Sequence, residues 1–334
     1  RTYLANVLLD LDTKLAFMGL QLFHTAMQLN IAEVAGDQLN TIQQALKNSI
    51  FEPLFIVGFI GVAWALIKKL LYRNLTGIMA ELAKVVLIIV FVAMLGSNTA
   101  GVLSNVGSVT RDLGLSVVMQ INGKDADGDP EAFAAETVGI LWNDLIHQPW
   151  LNLEFQGAAY TDSDVDAILS KTPYSDDRQE VINDYIEAHP GTFAKESAWL
   201  RLGTLLIYTV VMLIKLAVYV ACSAVMLAFQ LLAIFYALLG VVIMILAMFE
   251  SFGGIYLITD WVKKMMETQV MILVTTMLMG LLIWFGDIMR FLDGTLGWLA
   301  GMLLQTVIIV IVFVFRKQIF HSFQRMARNP GNLP

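Results

Sequence analysis

Between Leu202 and Phe249 the only charged residue is Lys215. At about 1.5 Å of rise per residue, a continuous helix over this tract would be about 72 Å long, more than twice the roughly 30 Å of a bilayer hydrocarbon core. A water-soluble core has no use for such a stretch, so it belongs in a membrane, either as two crossings or as one over-long helix. Composition agrees: 57% of the 334 residues are apolar and 15% are charged, and mean hydropathy is +0.70. That is far more apolar surface than one soluble core of this length requires, and most of it must face lipid.

Further spans can be read on either side. The first runs from about Ile50 to Leu71, with an uncharged stretch from Pro53 to Ile67 and lysines at its end that can snorkel toward water. A second lies within Val85 to Thr110, entered through Glu81 and Lys84, whose spacing lets them pair across one helical turn as a solvated interfacial pair. Two more follow the long tract, at about Thr268 to Gly286 and Thr295 to Phe315, with a short linker containing Asp287, Arg290 and Asp293 between them. Gly297 and Gly301 stand at GxxxG spacing, which makes them candidates for close helix contact.

Charge sets the expected orientation. From Asn122 to Trp199 lie 16 of the 28 acidic residues and 4 of the 21 basic ones, a balance of −12, against +5 for the rest of the chain. Cytoplasmic flanks are enriched in Lys and Arg, so Lys68, Lys69 and Arg73, then Lys263 and Lys264, then Arg316 and Lys317 with Arg325 and Arg328, should all lie inside. With the first cluster inside, the second span leads outward and the acidic segment lies outside. The tract from Leu202 to Phe249 must then cross an odd number of times, and one crossing is the economical answer, although its length allows two. The expected fold class is an all-α polytopic membrane protein of about five spans, amino terminus outside and carboxyl terminus inside, in the cytoplasmic (inner) membrane.

Five regions follow: an amphipathic helical region over 1–49, two transmembrane helices over 50–111, an acidic extracytoplasmic segment over 112–199, the long apolar helix with two further spans over 200–315, and a basic cytoplasmic tail over 316–334. In the first region Leu4, Leu8, Leu11, Leu15, Met18 and Leu22 share one face and Asn6, Asp10, Lys14, Gln21 and Gln28 another. The apolar face suits the membrane surface, a neighbouring subunit or packing within the same protomer. The charges interrupting this run also exclude a signal peptide. In the acidic segment Ser175 can cap a helix through Ala188 with Asp176 and Asp177 in its first turn, and Trp142, Trp150, Leu151, Phe155, Tyr160, Tyr174 and Tyr185 give a small subdomain something to bury. With one crossing, Lys215 falls near the outer interface, and a helix that outruns the bilayer calls for cover by other copies, hence a homo-oligomer or larger complex.

Signatures of chemistry are sparse. His24, His147, His189 and His321 are scattered, no nucleotide-binding, metalloprotease or paired-cysteine motif occurs, and Cys222 stands alone. The expectation is a non-enzymatic protein with no cofactor. Asp125, Asp127, Asp129 and Glu136 take positions 1, 3, 5 and 12 of a calcium loop, but Pro130 stands where the sharp turn needs Gly, so an acidic surface loop is the favoured reading. Charge within the spans is nearly absent and no paired halves with broken helices stand out, which fits a channel or scaffold better than a coupled pump.

The amino-terminal run YLANVLLDLDTKLAFMGLQLF, followed by two spans, a large outside segment, an over-long apolar helix and two closing spans, resembles the VirB6/TrbL-like inner-membrane proteins of type IV secretion, most of all the versions in conjugative elements of Gram-positive bacteria. The resemblance covers nearly the whole chain as layout and carries no catalytic motif. It implies a non-enzymatic, oligomeric component of a membrane translocation channel, working beside VirB3-, VirB4- and VirB8-like proteins in DNA or protein transfer. The basic carboxyl-terminal end is read as a topology signal ahead of any substrate contact, and the acidic segment disfavours tight contact with DNA phosphates. A stand-alone small-solute transporter or ion channel is the alternative, and a membrane anchor whose activity resides in the acidic segment is a third reading.

Overall fold

The computed structural model describes residues 2–121, 123, 130–155, 160–172, 175–189, 198–249 and 252–328. Among these every regular element is helical: α1 (Thr2–Gln28), α2 (Ile31–Val34), α3 (Gly36–Leu46), α4 (Glu52–Leu71), α5 (Leu75–Ile121), α6 (Pro130–Trp142), α7 (Gln148–Phe155), α8 (Asp162–Leu169), α9 (Asp176–Ala188), α10 (Ala198–Ala247), α11 (Ile255–Leu296) and α12 (Trp298–Arg328). Among the described residues four stretches are long and apolar enough to cross a membrane: Glu52–Leu71, Trp199–Ala247, Ile255–Gly286 and Trp298–Phe315. A multi-pass membrane protein is the compatible class. The further span expected within Val85 to Thr110 lies in α5, and the side chains of residues 91–99 fall outside the described set.

The long apolar tract forms one unbroken helix, α10. Helix also replaces the linker expected around Asp287, Arg290 and Asp293, since α11 continues to Leu296 and α12 begins at Trp298. Only Gly297, at φ +81°, interrupts the two, and this left-handed backbone is the one glycine adopts freely. The expected boundary at residue 111 is likewise overrun, because α5 continues to Ile121. Arg111 and Asp112 are short polar interruptions that a helix tolerates.

Two π-helical turns, Lys47–Phe51 and Asn143–His147, each end two residues before a proline, Pro53 and Pro149. A proline inside a helix has no N–H for the carbonyl four residues back and its ring crowds that carbonyl. A local π-turn relieves the clash without ending the helix.

The α4–α5 connection is built from equally local rules. Asn74 N–H bonds the Lys69 carbonyl and Arg73 N–H the Leu70 carbonyl, both at 3.0 Å, which is the Schellman closure of a helix end. Arg73 occupies its left-handed position at φ +52°, at a cost of about 1–2 kcal/mol for a residue with a Cβ. Asn74 then caps α5, its Oδ1 accepting the Gly77 N–H at 2.8 Å.

The chain divides into two compact units, residues 1–24, 135–221 and 282–334 in the first, and 25–134 and 222–281 in the second. In the second, Val62, Val85, Ile88, Val241, Met244, Met248, Ile258 and Trp261 share one apolar cluster, and the Trp261 indole donates to the Tyr236 carbonyl at 2.8 Å. Small residues let its helices approach: a Cβ at Gly280 would fall 2.9 Å from the Val118 Cβ, one at Gly114 3.0 Å from Thr276 Cγ2, and one at Gly58 2.7 Å from Met248 Sδ.

In the first unit α1 corrects the simplest view of its periodicity. The leucine face is not the packed face: Leu11, Phe17 and Met18 are exposed, while Ala5, Asp12, Ala16, Leu20 and Phe23 are buried and Gly19 lies against Leu216 and Val220. Among the acidic helices Leu151, Phe155, Val165, Ile168 and Tyr185 pack together, with the Phe155 and Tyr185 rings edge to face at 5.2 Å. Ser175 caps α9 by accepting from the Arg178 N–H, as its sequence requires. Tyr174 lies outside the described residues.

Thr161 and Asp164 form a reciprocal capping box on α8. The hydroxyl and the backbone N–H of Thr161, aided by the charge of His189, hold the Asp164 carboxyl below its usual range. A depressed carboxylate contributes stability that is complete above the ordinary carboxyl range near pH ~4 and is lost as pH falls through the folded value. Asp164→Asn should therefore flatten the acid limb of the unfolding profile, and Thr161→Ala should cost about 1 kcal/mol near neutrality. Thermal unfolding between about pH 6 and pH 3 decides this; an unchanged acid limb in Asp164→Asn would reject the role of the box.

Candidate functional site

Membrane helices rarely carry ionisable groups, and those that persist face protein and find partners. Lys215 is such a group. It lies on α10 with Tyr208, Met212 and Tyr219 at helical spacing, all four at most 1% exposed. The lysine expected near the outer interface has its ammonium fully enclosed by protein. Its Nζ stands 3.1 Å from Asp144 Oδ2 and also donates to Gln305 Oε1, while Gln305 Nε2 approaches the same Asp144 oxygen at 3.5 Å. The three side chains close a ring of cation, carboxylate and amide in which the glutamine serves both charges. Asp144 is 7% and Gln305 2% exposed. Gly286 makes the room, because a Cβ there would strike Gln305 Nε2.

The π-turn at Asn143–His147 presents this aspartate. Pro149 leaves the Leu145 carbonyl without its ordinary helical donor, and the buried Tyr208 hydroxyl donates to that oxygen instead. Two consecutive residues, Asp144 and Leu145, thus take their partners from one face of α10. One turn away Thr209 donates to Asp12 Oδ2 at 2.6 Å. Asp12 is 1% exposed, and burial pushes its carboxyl up against the opposing pull of the Thr209 hydroxyl. A carboxyl raised in this way favours its neutral form in the folded protein.

In the second unit Glu81 receives Lys69 at 2.7 Å and also pairs with Lys84. The solvated Glu81–Lys84 pair expected from spacing is corrected here, since both residues are at most 5% exposed. Lys68 and Arg73 remain exposed at the turn, as do Lys263 and Lys264 on α11. In this unit α4 and α5 give Val62, Val85 and Ile88, and α11 gives Ile258 and Trp261, to one apolar cluster. Arg316 and Lys317 belong to α12, with side chains outside the described set. The same unit holds a cavity of about 30 Å³ lined by Asn30, Arg111, Gln230 and Gln269 among apolar neighbours. Gln269 Oε1 finds no partner among the described residues, and the space suits an ordered water.

The two glycines at GxxxG spacing stand in different settings. Gly297 is the helix break between α11 and α12, and a Cβ there would meet nothing within 4 Å. Gly301 is buried on α12 and donates its N–H to the Gly297 carbonyl at 3.0 Å. Asp125, Asp127 and Asp129 lie outside the described residues, and Glu136 is exposed on α6. Among the described residues no three His, Cys, Asp or Glu side chains gather as metal ligands.

Sequence reasoning missed the ring of Asp144, Lys215 and Gln305. Its signals were present: a lone lysine in an apolar tract, a proline four residues after Leu145, and a glutamine in an otherwise apolar span. What spacing along the chain does not give is which of many acids the lysine meets. The chain matches no family model, no curated protein and no solved structure.

Proposed function

We propose that this protein is a non-enzymatic, oligomeric membrane-channel component of a type IV secretion or conjugation machine, VirB6/TrbL-like in layout, taking part in DNA or protein translocation across the cytoplasmic membrane beside VirB3-, VirB4- and VirB8-like partners. The observation that carries this reading is α10. Large apolar side chains stand exposed on it from Trp199 to Phe235, a length of about 54 Å. A hydrocarbon core of about 30 Å covers about 39 Å of helix even at a 40° tilt. Lipid alone leaves a band of about 15 Å of apolar helix uncovered, and neighbouring copies or partner subunits of a channel complete the cover. The exposed apolar stripe on α1, bordered by Asn6, Asp10, Lys14 and Gln21, suits the interface of such an assembly.

Orientation follows the charge reading, amino terminus outside and carboxyl terminus inside, with the acidic helices extracytoplasmic. The basic clusters Lys68, Lys69 and Arg73, then Lys263 and Lys264, support it, because cytoplasmic flanks are enriched in such residues. Deleting the gene should abolish conjugative transfer from the cell that encodes it, with growth unaffected and transfer restored by the gene in trans. Transfer at the undeleted frequency would sink the reading. One observation favours the alternative of a stand-alone ion or solute transporter: the enclosed Lys215–Asp144 pair is of the kind that couples transport. Flux through the purified protein in liposomes, together with normal transfer in the deletion strain, would decide for it.

A further inference from the structure

At residue 73 the α4–α5 turn needs the left-handed backbone that glycine takes freely, and it keeps an arginine. A topology signal requires positive charge somewhere in the loop and would be served as well from Tyr72 or Leu75, where the backbone is relaxed. A strained residue that persists points to a use for its side chain. Arg73 is exposed, and so is Lys68. Lys69 and Lys84 share the Glu81 carboxylate, which leaves Arg73 and Lys68 as the exposed cations of the turn and the helix end before it.

The surroundings are apolar. Trp64, Leu71, Tyr72 and Leu75 are each at least 70% exposed. Aromatic residues with an exposed face sit at headgroup level in membrane proteins, and basic groups beside a membrane helix attract anionic lipid. Exposed cations ringed by exposed aliphatic and aromatic side chains meet both parts of one molecule, a phosphate and its acyl chains. A free phosphate ion would have no use for the ring, and an acidic peptide would leave it uncovered.

We propose that the α4–α5 turn is a binding site for an anionic phospholipid, with Arg73 and Lys68 holding the headgroup phosphate and Leu71, Tyr72 and Leu75 lying along the acyl chains. The site rests on the chain spanning a membrane and is independent of the secretion reading, so DNA transfer is not its readout.

The test uses the full chain in nanodiscs of phosphatidylcholine with increasing phosphatidylglycerol, followed by thermal unfolding. Phosphatidylglycerol should raise the midpoint of the wild type. In Arg73→Gly combined with Lys68→Gln that rise should fall to less than half, while the midpoint in pure phosphatidylcholine stays level or increases, because glycine relaxes the backbone at 73. Arg73→Lys keeps the charge and should keep most of the rise. An equal rise in the wild type and the Arg73→Gly/Lys68→Gln variant overturns the site. So does a wild-type rise reproduced by inorganic phosphate in pure phosphatidylcholine, which would assign the turn to a free anion.

Discussion

Lys215→Met, made alone, should destabilise the protein by about 3–5 kcal/mol, the cost of leaving one charge of a buried pair without its partner. Methionine keeps the length of the lysine stem and removes the ammonium, so Asp144, 7% exposed, is left to the Gln305 amide. The companion change Asp144→Leu removes the stranded carboxylate, and the double variant should recover most of the loss, since a buried pair replaced by apolar groups of similar size is often neutral. Thermal unfolding of the purified protein, in one detergent throughout, measures both. A double variant as unstable as Lys215→Met would show that the charges act separately, and an unaffected single variant would show that the ammonium is not enclosed. The same pair of variants serves the transporter alternative, because a coupling lysine fails in flux even where stability is restored.

The second large effect is steric. Gly280→Ala adds one methyl on α11 where the Val118 side chain of α5 already stands, 2.9 Å from Cβ to Cβ. Branched Val118 has no flexible end to swing aside, so the helices must separate, at about 1–3 kcal/mol. Val118→Ala in the Gly280→Ala background returns the lost space and should restore more than half of the stability. Gly203→Ala, where a Cβ meets nothing within 4 Å, is the control expected to change little. If Gly280→Ala behaves like Gly203→Ala, the close approach of α5 and α11 is wrong. Gly297 turns the chain, while Gly58, Gly114 and Gly280 sit against neighbouring side chains.

Much of the helical content was legible because its signals are local. Ser175, Asp176 and Asp177 mark the start of α9, lysines mark the end of α4, and an apolar tract with one charge yields one long helix. Faces were harder to read. In water the apolar side of a helix is its packed side, and α1 read that way points Leu11, Leu15 and Met18 inward. In lipid the preference inverts, since small and polar residues gain from packing while large aliphatic ones lose nothing outside. α1 buries Asp12, Ala16 and Gly19 and exposes Leu11, Leu15 and Met18. The same inversion hid Lys215, Glu81 and Lys84, which charge alone would send to an interface.

The ring around Lys215 also bears on how the chain is made. Synthesis runs from the amino terminus, so Asp144 emerges 71 residues before Lys215 and 161 before Gln305, and the Leu145 carbonyl waits 63 residues for Tyr208. Until α10 is inserted the π-turn holds an unpaired carboxylate and an unserved carbonyl, and until α12 arrives the ring lacks its amide. An early helix segment thus depends on a helix translated 161 residues later, and a ribosome that stops short of Gln305 leaves its defect at Asp144, far back along the chain.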